Sequence, residues 1–200
     1  MPKNKIINLI TALYFRNRFF KKNKILTKIQ ELFLVFVTVL KYFYPKQIIM
    51  PFDVLKPKVT TILANDKEPA KQRLTEVCEL LQTTLGYYDW VGFYFANHEQ
   101  KTLHLEAFAG EPTDHTVIPF GKGICGQVAE SNANFVVADV KAQNNYIACS
   151  MYVKAEIVIP LFKDGKNIGQ IDIDSHTEDP FSPEDERFLE WVNQQVSEIL

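Results

Sequence analysis

The stretch from Ile157 to Asp174 constrains this chain more than any other. Ile157-Val158-Ile159-Pro160-Leu161-Phe162 is continuously apolar, Asp164-Gly165 follows it, and Ile168, Ile171 and Ile173 make the next stretch apolar again. A short apolar run closed by Asp-Gly reads as one arm of a β-hairpin, with the second run as the returning strand. Side chains alternate across a strand, so Asp172 and Asp174 share one face while Ile171 and Ile173 share the other. Two like charges flanked by apolar residues suit a polar pocket better than a plain core. The plainer alternative is that both aspartates face water at the end of an edge strand, as many carboxylates do. Just upstream, Cys149 and Glu156 add a thiol and a third carboxylate to the same stretch.

Charge divides the chain. Of its 22 Lys and Arg and 24 Asp and Glu, the first 49 residues hold ten basic groups and one acid, Glu31. The remainder therefore holds twelve basic and 23 acidic groups. Such asymmetry places residues 1–49 outside the folded unit, and residues 50–200 are long enough for one domain with a sizeable core. The acidic part has no clustered basic face, which argues against nucleic acid as a partner.

The basic segment contains one apolar run, Leu32 to Leu40, shorter than the ~20 residues a helix needs to span a bilayer. It lies too far from the N-terminus, and lacks the small-residue cleavage site, to resemble an ordinary signal peptide. Three readings stay open: a membrane-surface anchor, an added amphipathic helix, or translated upstream sequence with Met50 as the true start. The change of composition at Met50-Pro51 favours the last. Three scattered cysteines (Cys78, Cys125, Cys149) do not make a disulfide framework, and no Cys or His spacing suggests zinc. A reducing, cytoplasmic setting is the expectation, with neither metal nor organic cofactor.

Residues 52–65 and 68–86 read as helices, and in the second Leu74, Val77, Cys78, Leu81 and Leu85 recur at helical spacing, which makes Cys78 core. Trp90 to Ala96 and Thr102 to Ala109 read as an antiparallel pair. Val117 to Phe120 ends a strand, Gly121-Lys122-Gly123 opens a short helix, and Asn134 to Val140 gives another strand. The glycines there lack the spacing of a phosphate loop. Ser182-Pro183-Glu184-Asp185 is a helix start, and Pro183–Ile199 has Phe188, Leu189, Trp191, Val192 and Val196 to bury. Hairpin-linked strands with helices at both ends imply an α+β fold, an antiparallel sheet with helical cover.

The segments PFGKGICGQVAESN, AEIVIPLFKDGKNIGQIDIDS and FSPEDERFLEWV together resemble a GAF domain, over residues 52–200. DWVGFY, YIAC, the Glu seven residues after that Cys, and DIDS narrow the resemblance to the free methionine-(R)-sulfoxide reductases. The resemblance implies a GAF-like central antiparallel sheet covered by N- and C-terminal helices. It implies that Cys149 is the nucleophile that attacks the sulfoxide sulfur. Glu156, Asp172 and Asp174 would hold the substrate ammonium and hydrogen-bond the sulfoxide oxygen, while Trp90 and Tyr94 would wall the methyl-sulfur end. Crowded acids fit this chemistry, because one must stay protonated to donate as the S–O bond breaks. A second thiol, then thioredoxin or another thiol reductant, would remove the sulfenic acid on Cys149. This sequence has Cys125 in its GxCG segment but His115 where the family usually carries a resolving cysteine, which leaves three readings open: Cys125 resolves instead, an external thiol does so directly, or this chain has lost turnover. A homodimer through terminal helices is also implied by the resemblance.

For each residue an ordinary role competes: a buried hydrophobe for Cys149 and Cys125, core packing for Trp90 and Tyr94, a solvent-facing strand end for Glu156. His104, His115 and Lys122 read as surface residues. Two function classes stay open, a reductase of free methionine-(R)-sulfoxide and a non-catalytic GAF ligand-binding or sensory domain. Retention of Cys149, Glu156, Asp172 and Asp174 together favours the reductase.

Overall fold

The computed structural model describes residues 51–143 and 152–200. The predictions for residues 1–49, most of the polar loop before Cys149, and Cys149 itself lie outside the described residues. The described chain runs α1 (Pro51–Leu63), α2 (Ala70–Thr84), β1 (Trp90–Asn97), β2 (Thr102–Ala109), β3 (Val117–Pro119) and α3 (Gly123–Ser131). It continues through β4 (Phe135–Val137), a 3-10 turn (Val140–Ala142), β5 (Ala155–Lys163), β6 (Lys166–Ser175) and α4 (Pro183–Ile199). The strands make one antiparallel sheet of order β3-β2-β1-β6-β5-β4. The expected α+β fold with terminal helical cover is therefore present.

The β5–β6 hairpin is the sheet's centre of gravity. Lys163 pairs with Lys166, which leaves Asp164-Gly165 as a two-residue loop. Both loop residues have positive φ, 52° and 74°, the conformation that matches the twist of the flanking strands. Asp tolerates that conformation and Gly adopts it freely, so the sequence closes the hairpin at this point. β6 lies between β1 and β5, not at an edge, which removes the reading of Asp172 and Asp174 as edge-strand solvent groups.

Each sheet face has its own core. Val91, Phe93, Ile157, Ile159, Ile171 and Ile173 point to the face covered by α1, α2 and α4. Cys78 is fully buried there, and burial pushes its thiol pKa up, as expected of core rather than chemistry. Trp191 differs from expectation: it is half-buried, stacked on Phe188 with the Lys56 ammonium 5.5 Å from its ring centroid. The opposite face carries Trp90, Tyr94, Val158 and the shorter α3, whose Ile124, Cys125, Val128 and Ala129 are buried. The segment expected as one strand over Asn134 to Val140 splits into β4 and the 3-10 turn, where the Asp139 carboxylate accepts from the Lys141 N–H. Among the described residues, no helix is long and apolar enough to cross a membrane.

Candidate active site

Strand register assembles the site. Asp174 lies opposite Trp90 on β1 and opposite Glu156 on β5. Asp172 lies opposite Gly92 and Val158 in the same way. Residues directly opposite in a sheet put their side chains on one face, so Trp90, Tyr94, Glu156, Asp172 and Asp174 converge beside α3. Gly92 is what allows this. A Cβ at that position would fall 2.1 Å from the Trp90 ring, so only glycine lets the indole lie across β1. Trp90 is held there by its Nε1–H donating to the Glu111 carbonyl at 3.1 Å and by stacking on Phe108. The Tyr94 hydroxyl donates to the His115 carbonyl at 2.9 Å.

Helix α3 brings Cys125 down onto the carboxylates. Its thiol donates to Asp172 Oδ2 at 3.1 Å and lies 4.0 Å from Glu156 Oε1. Close approach depends on Gly126, where a Cβ would sit 2.4 Å from the Pro119 carbonyl oxygen. The Gly121 N–H donates to the Gly126 carbonyl at 2.7 Å and ties the end of β3 to the first turn of the helix.

Three carboxyls in one buried place cannot all ionise cheaply. Glu156, Asp172 and Asp174 are 3%, 1% and 3% exposed. Burial pushes the Glu156 carboxyl well above its ordinary range, and the charges of Asp172 and Asp174 push it further. Asp174 is raised by burial, then by Asp172 and Asp89. Burial lifts Asp172 to about 7, against the opposing effect of the hydrogen bond from Cys125. Burial and mutual repulsion therefore favour protonated carboxyls in the cluster, and a protonated carboxyl can donate to an oxygen acceptor. Asp172 Oδ1 and Asp174 Oδ1 have no hydrogen-bond partner among the described residues. A buried carboxyl oxygen without a partner is costly, so the site suits a polar or cationic ligand.

Two clefts open onto the cluster. One is lined by Trp90, Tyr94, Asp174, Val153 and, at its rim, Tyr152 and His176. The other is lined by Cys125, Glu156, Ile118 and His115. His115, expected at the surface, is half-buried because Tyr94 and the β3 approach enclose its backbone. His104 and Lys122 are exposed, as expected. Asp89 and His176 carry no site role in the sequence reading. The Asp89 carboxylate lies 3.3 Å from His176 Nδ1 and accepts the His176 N–H at 2.7 Å. Asp89 immediately precedes Trp90 within DWVGFY, and that adjacency is the signal that could have found it. Cys149, the expected nucleophile, is outside the described residues, three positions before Tyr152 in the sequence.

A family model described as a GAF domain matches residues 68–200. The chain belongs to the GAF domain family. Within that family it is 35% identical over 127 residues to the free methionine-R-sulfoxide reductase of Escherichia coli, covering 64% of this chain and 75% of that relative. It is 34% identical over 141 residues to GAF domain-containing protein A of Dictyostelium discoideum, covering 70% and 87%. The structure superposes on the free methionine-R-sulfoxide reductase of Neisseria meningitidis, determined in complex with its substrate, with a TM-score of 0.69. The identity there is 32%, over 74% of this chain and 87% of that one. The GAF fold and the likeness to free methionine-R-sulfoxide reductases, read from the sequence, both hold.

Proposed function

We propose that this protein reduces free L-methionine-(R)-sulfoxide to methionine, with Cys149 as the nucleophile. The observation that carries the proposal is the convergence of Glu156, Asp172 and Asp174 on one buried face walled by Trp90 and Tyr94. A free amino acid differs from a peptide residue by its ammonium, and an ionised carboxylate of the cluster is the group that selects it. A protonated carboxyl of the cluster donates to the sulfoxide oxygen. Asp172, lifted to about 7, is suited to give a proton at neutral pH and to regain it.

The thiolate of Cys149 attacks the sulfoxide sulfur, the carboxyl proton goes to the oxygen, and the oxygen passes to the cysteine sulfur. Methionine leaves reduced by two electrons, and Cys149 is oxidised to the sulfenic acid by the same two. A second thiol then condenses with the sulfenic acid, releasing water and forming a disulfide. Cys125, against Asp172 and Glu156 at the cluster, is our choice for that thiol. Thioredoxin or another dithiol returns the disulfide to two thiols.

The test is loss of R and S epimers of free methionine sulfoxide, followed separately, with dithiothreitol and then with thioredoxin. The parent is expected to consume the R epimer and Cys149→Ser to consume neither. Cys125→Ser is expected to keep turnover with dithiothreitol and lose it with thioredoxin. If the parent consumes neither epimer with either reductant, the reductase is excluded and the cleft is a binding site of a sensory GAF domain.

A further inference from the structure

Cys125, Glu156 and Asp172 come from three elements, α3, β5 and β6, and one ligand atom from each lies within 4.8 Å of the others. All three residues are buried. A tetrahedral zinc ion with ordinary Zn–S and Zn–O lengths holds its sulfur and oxygen ligands about 3.6 Å apart. The observed sulfur–oxygen separations, 3.1 Å to Asp172 and 4.0 Å to Glu156, bracket that distance. A cation could therefore enter with side-chain adjustments of about half an ångström. A second observation is independent of spacing. The buried Oδ1 atoms of Asp172 and of its neighbour Asp174 lack hydrogen-bond partners among the described residues, and both belong to the same sheet face. Such atoms favour an approaching cation.

We propose that the reduced protein binds one Zn2+ through the Cys125 thiolate and the carboxylates of Glu156 and Asp172, with its fourth position open to the cleft. A thiolate beside two carboxylates selects a borderline-soft divalent ion. Mg2+ and Ca2+ demand more oxygen ligands than this cluster supplies. Metal and substrate then exclude one another, because both need Glu156 and Asp172; this exclusion, unlike the binding, rests on the substrate placement proposed above. Zinc would hold the enzyme inactive with its cluster thiol unoxidised, and removal of the metal would restore it.

The experiment uses the full chain, reduced and freed of metal and reductant, with Co2+ as the spectroscopic probe. The expected result is a thiolate-to-cobalt charge-transfer band with tetrahedral visible bands, abolished by Zn2+. Cys125→Ser should lose the band and Cys149→Ser should keep it. Absence of the band in the parent, or its survival in Cys125→Ser, overturns the site. Asp172→Asn should weaken Co2+ binding at least tenfold, and unchanged affinity also overturns it. A check on the unsubstituted chain removes dependence on variant folding: Zn2+ should slow alkylation of Cys125 at least tenfold, reversed by EDTA, and equal labelling overturns the site. In Cys149→Ser, which cannot pass its oxidation to Cys125, saturating methionine sulfoxide should erase the cobalt band. A band that persists refutes exclusion, whereas turnover by the metal-free protein decides the reductase itself.

Discussion

Asp172 joins stability to chemistry through one proton. Its carboxyl has an ordinary value of 3.8 and titrates near 7 in the folded chain. Between those values the native state holds a proton that the unfolded chain has released. The stability contribution is therefore greatest below the unfolded value and is lost as pH rises toward the folded one, by at most about 1.4 kcal/mol per pH unit. Asp172→Asn cannot ionise, and it also removes a charge that raises Glu156 and Asp174. Urea unfolding from about pH 4 to pH 7 should therefore show a shallower decline in the variant than in the parent; parallel curves would refute a protonated native carboxyl. Gly92 allows a second prediction at this scale. Gly92→Ala drives a methyl into the Trp90 ring and must displace the indole from the cleft wall. Activity on free methionine sulfoxide should fall by roughly 10- to 100-fold in kcat/KM, accompanied by a changed near-ultraviolet dichroism spectrum. An unchanged kcat/KM would mean that Trp90 does not wall the substrate.

At the scale of elements, α3 and α4 serve different ends. α3 positions a thiol, and its first turn touches β3 so closely that Gly126→Ala must lift the helix from the Pro119 carbonyl. Overpacking of this kind costs about 1–3 kcal/mol, more than the gain in helix propensity from replacing glycine by alanine. Gly126→Ala should therefore unfold at lower urea than the parent and lose thioredoxin-driven activity through displacement of Cys125. α4 secures the opposite face. Ser182 caps it, and the Asp185 carboxylate accepts from the Ser182 N–H and hydroxyl and from the hydroxyls of Tyr87 and Tyr88. Ser182→Ala should cost about 1 kcal/mol, the usual value of a lost cap. Asp185→Ala should cost clearly more, since it also strands two tyrosine hydroxyls. Equal midpoints for the two variants would show that the tyrosine bonds add nothing.

On the scale of the whole molecule, the charge division at residue 50 leads to the expectation that residues 50–200 fold alone. Their urea midpoint should equal that of the full chain. A lower midpoint would assign the basic segment a share in the fold.

Much of this protein was legible in its sequence because local rules act on neighbours along the chain. Asp164-Gly165 determined a hairpin through backbone conformation, Ser182 and Pro183 determined a helix start, and apolar periodicity determined which face of each helix is buried. Two-residue alternation alone put Asp172 and Asp174 on one face. The sequence could not say whether that face was solvated, because this depends on β6 pairing with β1 and β5, partners distant in the chain. Likewise, no spacing announced that Cys125 would meet Glu156 and Asp172. Cys125, Glu156 and Asp172 are 31 and 47 residues apart in their contacts, and only the packing of α3 on the β5–β6 hairpin brings them within bonding range. Sequence determines what neighbours must do; tertiary structure decided which distant carboxyls share one buried place, and burial is what raises them above the ordinary carboxylate range.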